Sequence, residues 1–371
     1  MSLARLLAVS RKESIQLRRD PRSLLLAFLL PVFLIIFFGY AITYDVKNIE
    51  MAVLDQSNSE ESRALVESFV SSGYFQILEY PQRYQDVQRL LDAGVVRLVL
   101  VIPPDFSRDL LTGRGAPVQM LLDGADANTA TIARNYASAI VARYSTEVVL
   151  QGRELRLPVQ AETRVWYNET LESQNMIVPG LVAVIMSIIA ALLTALTIAR
   201  EWERGTMEQL AATPVHRLEV VLGKLLPYVV IGLFDVALAV LAGLFLFQVP
   251  FRGSVLLLSG LTLLFLVGAL SLGMFISAAA KAQLLATQIA IIATFLPALL
   301  LSGFIFAIET MPIPIQAITY IVPARYYVTV TKGIFLKGVG PGVLWIEALA
   351  MIIFAAAGLS LAARAFRKEL E

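Results

Sequence analysis

The sequence predicts a polytopic α-helical membrane protein with six transmembrane helices and a mixed α/β extracytoplasmic domain inserted between spans 1 and 2. Three observations predict it. Hydrophobic residues make up 57% of the 371 and charged residues 16%, with mean hydropathy +0.72, too apolar for a water-soluble globular chain. Six apolar runs, at 24–44, 176–198, 225–249, 255–279, 284–307 and 343–363, have the length needed to cross a hydrocarbon core of about 30 Å. Between the first two runs, residues 45–172 carry charges throughout and hold no spanning segment.

The leader, 1–23, has six basic side chains, Arg5, Arg11, Lys12, Arg18, Arg19 and Arg22, against Glu13 and Asp20. Leu3, Leu6 and Leu7 fall at helical spacing, so the leader reads as an amphipathic helix lying in the membrane interface. Asp20 and Pro21 end it. Basic residues are retained on the cytoplasmic side, which puts the amino end inside and the 45–172 domain outside. That domain alternates in pattern. Met51 to Leu54 reads as a strand, Asn58 with Glu61 as a capped helix start, and Arg83 to Leu91 as a helix. Val95 to Ile102 and Val118 to Leu122 read as further strands, Val159 to Trp166 as a last one, and Ile132, Tyr136, Ile140, Tyr144 and Val148 mark a long amphipathic helix.

The second run returns the chain to the inside. Along it Ala183, Ser187, Ala191, Ala195 and Ala199 recur every fourth residue, a strip of small side chains that lets another helix approach closely. It delivers the chain into a polar island at 199–224. There Gly205 permits a turn and Thr206 with Gln209 matches a capping box, so a short helix is expected with Met207, Leu210 and Ala211 on one face. Such a helix suits a partner's groove. The plainer reading is a solvated loop whose charges balance, Arg200, Arg204, Arg217 and Lys224 against Glu201, Glu203, Glu208 and Glu219. After two tight connections the segment 308–342 is broken by Pro312, Pro314, Pro323 and Pro341. It is expected to form short helices at the outer face with Tyr326 and Tyr327 at the interface. The tail, 364–371, is basic again, so an even number of spans puts both termini in the cytoplasm.

Several chemistries are missing from the sequence. No cysteine is present, so disulfides, thiolate metal sites and a cysteine nucleophile are excluded, and the single His216 lacks the companions a metal site needs. Gly223-Lys224 has neither the upstream glycine nor the following hydroxyl of a phosphate loop, and HExxH and GxSxG motifs are absent. No enzyme activity, metal or cofactor is expected of this chain. The formal net charge of +1 gives no reason to expect a nucleic-acid partner. Asp235 is the one acid well inside a span, where a carboxylate costs about 2.5–3.5 kcal/mol to insert, so it should face protein or water. A hydrogen bond to a neighbouring helix is the plainer role, because no second ionisable group stands at mid-depth; a proton relay or a substrate contact is the alternative.

Four stretches carry a family resemblance: LVLVIPPDFSRDLLTGRGAPVQMLLDGADAN in the outer domain, RVWYN before NMIVPGL, the island AREWERGTMEQLAATPVHRLEVVLGKLLPY, and the late segment LSGFIFAIETMPIPIQAITYIVPARYYVTVTKGIFLKGVG. Together with the order of leader, span, outer domain and five further spans, they resemble the permease subunits of type-2 ATP-binding-cassette exporters, in particular the bacterial drug-efflux branch. One departure is Ala307, where the family often has proline. The resemblance implies that the island holds a coupling helix for a separate ATPase subunit, carried here by Glu201, Glu203, Gly205, Thr206, Met207, Glu208 and Leu210. It also implies ATP and Mg on that partner, a second permease copy or paralogue, a bacterial inner-membrane location amid lipid, a small-molecule substrate, and a periplasmic adaptor as a candidate partner. Two rival classes remain at this point. An ion-coupled secondary transporter would need mid-membrane ionisable groups or inverted repeats, and an envelope receptor or scaffold would need a substantial cytoplasmic output module.

Overall fold

The computed structural model describes residues 2–42, 48–150, 166–169, 172–207, 209, 213 and 215–366. The expected strand at 159–166 lies outside these residues except for Trp166, and Glu208, Leu210 and most of the tail lie outside them too. The chain divides into two units, Tyr44–Thr163 and the remainder.

The smaller unit is a four-stranded sheet with helices on both faces. Its strands are β1 (Ile49–Asp55), β2 (Phe75–Glu79), β3 (Leu98–Ile102) and β4 (Gln119–Leu122), in the order β2-β1-β3-β4. β1 pairs in parallel with β2 and β3, and β4 closes the edge antiparallel to β3. A parallel centre covered on both sides needs apolar residues at every position rather than alternate ones. Accordingly Met51, Val53, Leu98 and Leu100 bury toward one face, while Ala52, Leu54, Val99 and Val101 bury toward the other.

Helices α3 (Glu60–Ser71), α4 (Tyr84–Asp92), α5 (Phe106–Leu111) and α6 (Ala127–Leu150) belong to this unit. The cap of α3 is Ser59, not Asn58. Ser59 accepts from the Ser62 amide and Ser62 returns the bond, while Asn58 takes a left-handed φ of 50°. Of the strip predicted on α6, Tyr144 is buried and Tyr136, Ile140 and Val148 pack beside it, but Ala133 and Ala137 rather than Ile132 complete its centre.

The larger unit is a helical bundle. α1 (Leu3–Arg18) and α2 (Pro21–Ala41) lead into it. After the α/β unit come α7 (Ser173–Glu203), α8 (Arg217–Phe245), α9 (Val255–Ala280) and α10 (Gln283–Leu300). A 3-10 turn at Ile308–Thr310, then α11 (Ile313–Thr319), α12 (Pro323–Lys332) and α13 (Trp345–Ala365) complete it. Among the described residues five helices, α7, α8, α9, α10 and α13, are long and apolar enough to cross a membrane, and the run at 24–44 contributes the apolar helix α2, with Ala27–Ala41 as its described apolar stretch.

α7 runs through the middle, buried along most of its length and packed against α2, α8, α9, α10 and α12. Its neighbour α10 stops at Leu300, short of the end of the apolar run at 307. Pro297 removes an amide donor from its last turn and the chain bends away.

The late segment departs from expectation. Tyr327, predicted at the interface, is wholly buried, stacked on Phe265 with ring centroids 4.1 Å apart and its hydroxyl 2.8 Å from that of Thr262. Pro323 starts α12 so that Tyr327, Val328, Val330 and Thr331 turn inward. Tyr326 stays half-buried, its hydroxyl donating to the Tyr320 carbonyl.

Candidate functional site

The polar island is where four helix ends meet. α7 closes on a left-handed Gly205, φ 68°, in a Schellman motif: the Thr206 amide donates to the Glu201 carbonyl and the Gly205 amide to Trp202. The Thr206 hydroxyl reaches back to that same Glu201 carbonyl. Gly205 therefore ends α7, and most of the short helix expected after it, Glu208, Leu210 and Ala211 included, lies outside the described residues. On the far side His216 caps α8, its ring accepting from the Leu218 amide while Glu219 accepts from the His216 amide. This box starts α8 at Arg217, so the second half of the 199–224 loop is helical although it is not apolar.

Part of the island's charge is buried rather than solvated: Glu201, Glu219 and Lys224 lie inside, while Glu203, Arg204 and Arg217 are exposed. Lys224 is 2% exposed, its Nζ 2.9 Å from Glu13 and 3.0 Å from Glu201. Tyr228 donates to the other oxygen of Glu13 at 3.0 Å, and Lys12 reaches Glu201 at 2.9 Å. Arg200 pairs with Asp20 at 2.9 Å. Glu219 also accepts from the Ser2 amide at 2.5 Å. The leader is thus clasped to the island by groups from α1, α7 and α8. Two buried carboxylates around one buried ammonium, with Lys12 at the rim, balance the charge that burial demands. The leader's part was visible in outline. Val9, Glu13 and Leu17 lie at i, i+4 and i+8 and are the buried stripe of α1, so a lone carboxylate stands where an apolar residue belongs.

The residues expected to contact a partner separate into two sets. Glu201 and Met207 are 2% and 3% exposed and face inward, so in this conformation they serve the clasp and the core rather than a partner's surface. Glu203, Gly205 and, in part, Thr206 face out. Glu203 accepts from the backbone and the side-chain amide of Gln283 at the start of α10, and Lys281 sits 4.8 Å above the Trp202 ring. α10 is therefore tied to the same corner.

Ala183, Ser187, Ala191 and Ala195 are all buried. Ala191, Ala195 and Ala199 meet Ile276 of α9 and Ala286 and Ala290 of α10, so the strip packs within the protomer. Contact is closest at Gly273, where a Cβ would run into the Ala191 carbonyl and the Thr194 hydroxyl. Thr194 donates to the Leu270 carbonyl at 2.7 Å.

Asp235 is 1% exposed, and among the described residues neither of its oxygens finds a hydrogen-bond partner. The helix-to-helix hydrogen bond expected for it is not formed. Asp235→Leu is expected to stabilise the purified chain by about 1–3 kcal/mol, the cost of an unsatisfied buried polar group. Thermal unfolding in detergent measures this, and a lowered midpoint would show that the carboxylate has a partner in the native protein. Elsewhere, a cavity of about 310 Å³ lies between α7, α9, α10 and α12, with Ser187 and Thr294 in a wall made otherwise of groups such as Phe265, Pro297 and Ile321.

Five helices long and apolar enough to cross a membrane, among the described residues, define a polytopic membrane protein. A family profile described as ABC-2 family transporter protein matches residues 21–364. The chain is 38% identical over 354 residues to the "Probable multidrug ABC transporter permease YbhS" of Escherichia coli (strain K12), covering 95% of this chain and 94% of that one. It is 32% identical over 369 residues to "Probable multidrug ABC transporter permease YbhR" of the same organism, with 99% of each chain covered. It is 28% identical over 327 residues to "Inner membrane transport permease YhhJ", covering 86% and 85%. The chain belongs to the ABC-2 family of transporter proteins. Its work is transport, as a permease subunit and not as an enzyme.

Proposed function

We propose that the chain forms the translocation pathway of an ATP-driven exporter for hydrophobic or amphipathic compounds, drugs among them, and that separate ATP-binding-cassette subunits drive it. ATP and Mg belong to those partners. The observation that carries the reading is the corner at Gly205, where the ends of α7 and α8, the start of α10 and the clasped leader converge while Glu203, Gly205 and Thr206 stay open. A push there reaches four helices at once. The relatives, named as multidrug permeases and an inner-membrane permease, support the substrate class and the location.

In this reading α2 is the first of six spans, the α/β unit stands outside the inner membrane, and both termini and the coupling corner are cytoplasmic. Two permeases, identical or paralogous, surround the pathway, and the apolar cavity beside Ser187 suits a hydrophobic substrate. The test is co-purification with the ATPase. Gly205→Pro forces a φ near −65° on a residue at 68° and deletes its amide bond to Trp202. It is expected to lower substrate-stimulated ATP hydrolysis by roughly tenfold per folded complex, within the usual range of coupling between sites, and to lower the midpoint of unfolding modestly through the lost helix end. Unchanged stimulation, or transport by the chain alone without nucleotide, sinks the proposal.

A further inference from the structure

Beside the clasp two hollows run together. The outer one, about 760 Å³, is bounded by Lys12, Arg19, Asp20, Arg200 and Arg204. The inner one, about 140 Å³, is walled by Leu30, Ile189, Leu192, Leu193 and Ile291. Gln16, Leu196 and Arg200 line both, so the charged mouth adjoins the apolar slot. The mouth has four cationic side chains and one carboxylate. Asp20 is engaged by Arg200, and Lys12 is held by Glu201. Among the described residues Arg19 and Arg204 have no carboxylate partner, and both are exposed. Glu13 also touches the slot, yet Lys224 and Tyr228 already occupy its oxygens.

We infer that this cleft holds an anionic phospholipid, its phosphate on Arg19 and Arg204 and the upper part of one acyl chain in the slot along Leu192, Leu193 and Ile291. Guanidinium groups match phosphate oxygens in pairs, and an unpaired pair of them at the rim of an apolar slot fits a molecule that is anionic at one end and aliphatic at the other. On α10, which lines the slot through Thr287 and Ile291, Leu284 and Ile292 are exposed. The inference assumes only that this corner meets the membrane surface. It does not depend on how the transporter is driven.

The full chain in a neutral detergent is exposed to phosphatidylglycerol, to phosphatidylcholine with the same acyl chains, or to inorganic phosphate, and retained ligand is read by native mass spectrometry. Phosphatidylglycerol should be retained roughly thirtyfold over phosphatidylcholine, as two basic residues near a lipid surface would give. Arg19→Gln with Arg204→Gln should erase that preference, and since both side chains are exposed the variant should keep the native unfolding midpoint. Leu193→Trp should fill the slot and lower retention of both lipids. No preference, a preference that survives the double substitution, or inorganic phosphate displacing the lipid on equal terms each overturns the inference. So does an unchanged Leu193→Trp, which would leave the headgroup on the surface alone. Because the chain has no cysteine, Thr287→Cys reports whether a second copy covers the slot instead. Disulfide-linked pairs that form equally fast with and without phosphatidylglycerol would make the second copy the occupant and overturn the assignment. None of these readouts involves nucleotide or transport, so their failure leaves the exporter reading untouched.

Discussion

Lys224→Met is expected to destabilise the folded chain by about 3–5 kcal/mol, the cost of removing one partner from a buried ion cluster. The methionine fits the space. What it leaves behind is the damage, since Glu13 and Glu201 are 2% exposed and would face each other with Lys12 alone at the rim. Detergent-solubilised protein should unfold at a markedly lower temperature, and α1 should become accessible to protease. Adding Glu13→Gln and Glu201→Gln to the methionine variant should recover most of the loss, because neutral amides carry no charge that needs burial partners. If the single variant is as stable as the parent, the clasp carries no weight. If the triple variant stays as unstable as the single, lost packing rather than stranded charge is the cause.

The second large effect is expected at the closest helix contact. Gly273→Leu should cost about 3 kcal/mol or more, since the clash is with the Ala191 carbonyl on the backbone of α7 and not with a flexible side-chain end. Separating the helices would also stretch the bond from Thr194 to Leu270. Gly260 provides the control on the same helix, with nothing within 4 Å of a built Cβ. Gly260→Leu should be neutral or mildly favourable, as removing a helix-interior glycine usually is. Equal unfolding midpoints for the two variants would refute close packing of α7 on α9.

The two experiments also mark what the sequence could convey. Apolar runs and the small-residue strip were legible because hydrophobic length and a period of four are local properties. The strip from Ala183 to Ala199 reads directly as a buried face. Its partner does not, and the structure turns it toward α9 and α10. Glu13, Glu201 and Lys224 are distant along the chain, and periodicity says which face a residue occupies without saying what it meets. Tyr327 misled for a related reason. Aromatic residues favour the membrane interface as a class, but this one found a flat partner in Phe265. β2 and α5 escaped notice because short elements give periodicity too few residues to register.

The clasp also imposes an order on biogenesis. Glu13 leaves the ribosome 211 residues before Lys224, an interval of roughly 10–40 s at ordinary rates of translation. For that time the leader has a carboxylate without its Lys224 partner, and the clasp is incomplete. Only when the third long apolar helix begins to emerge can the first segment synthesised take its final seat.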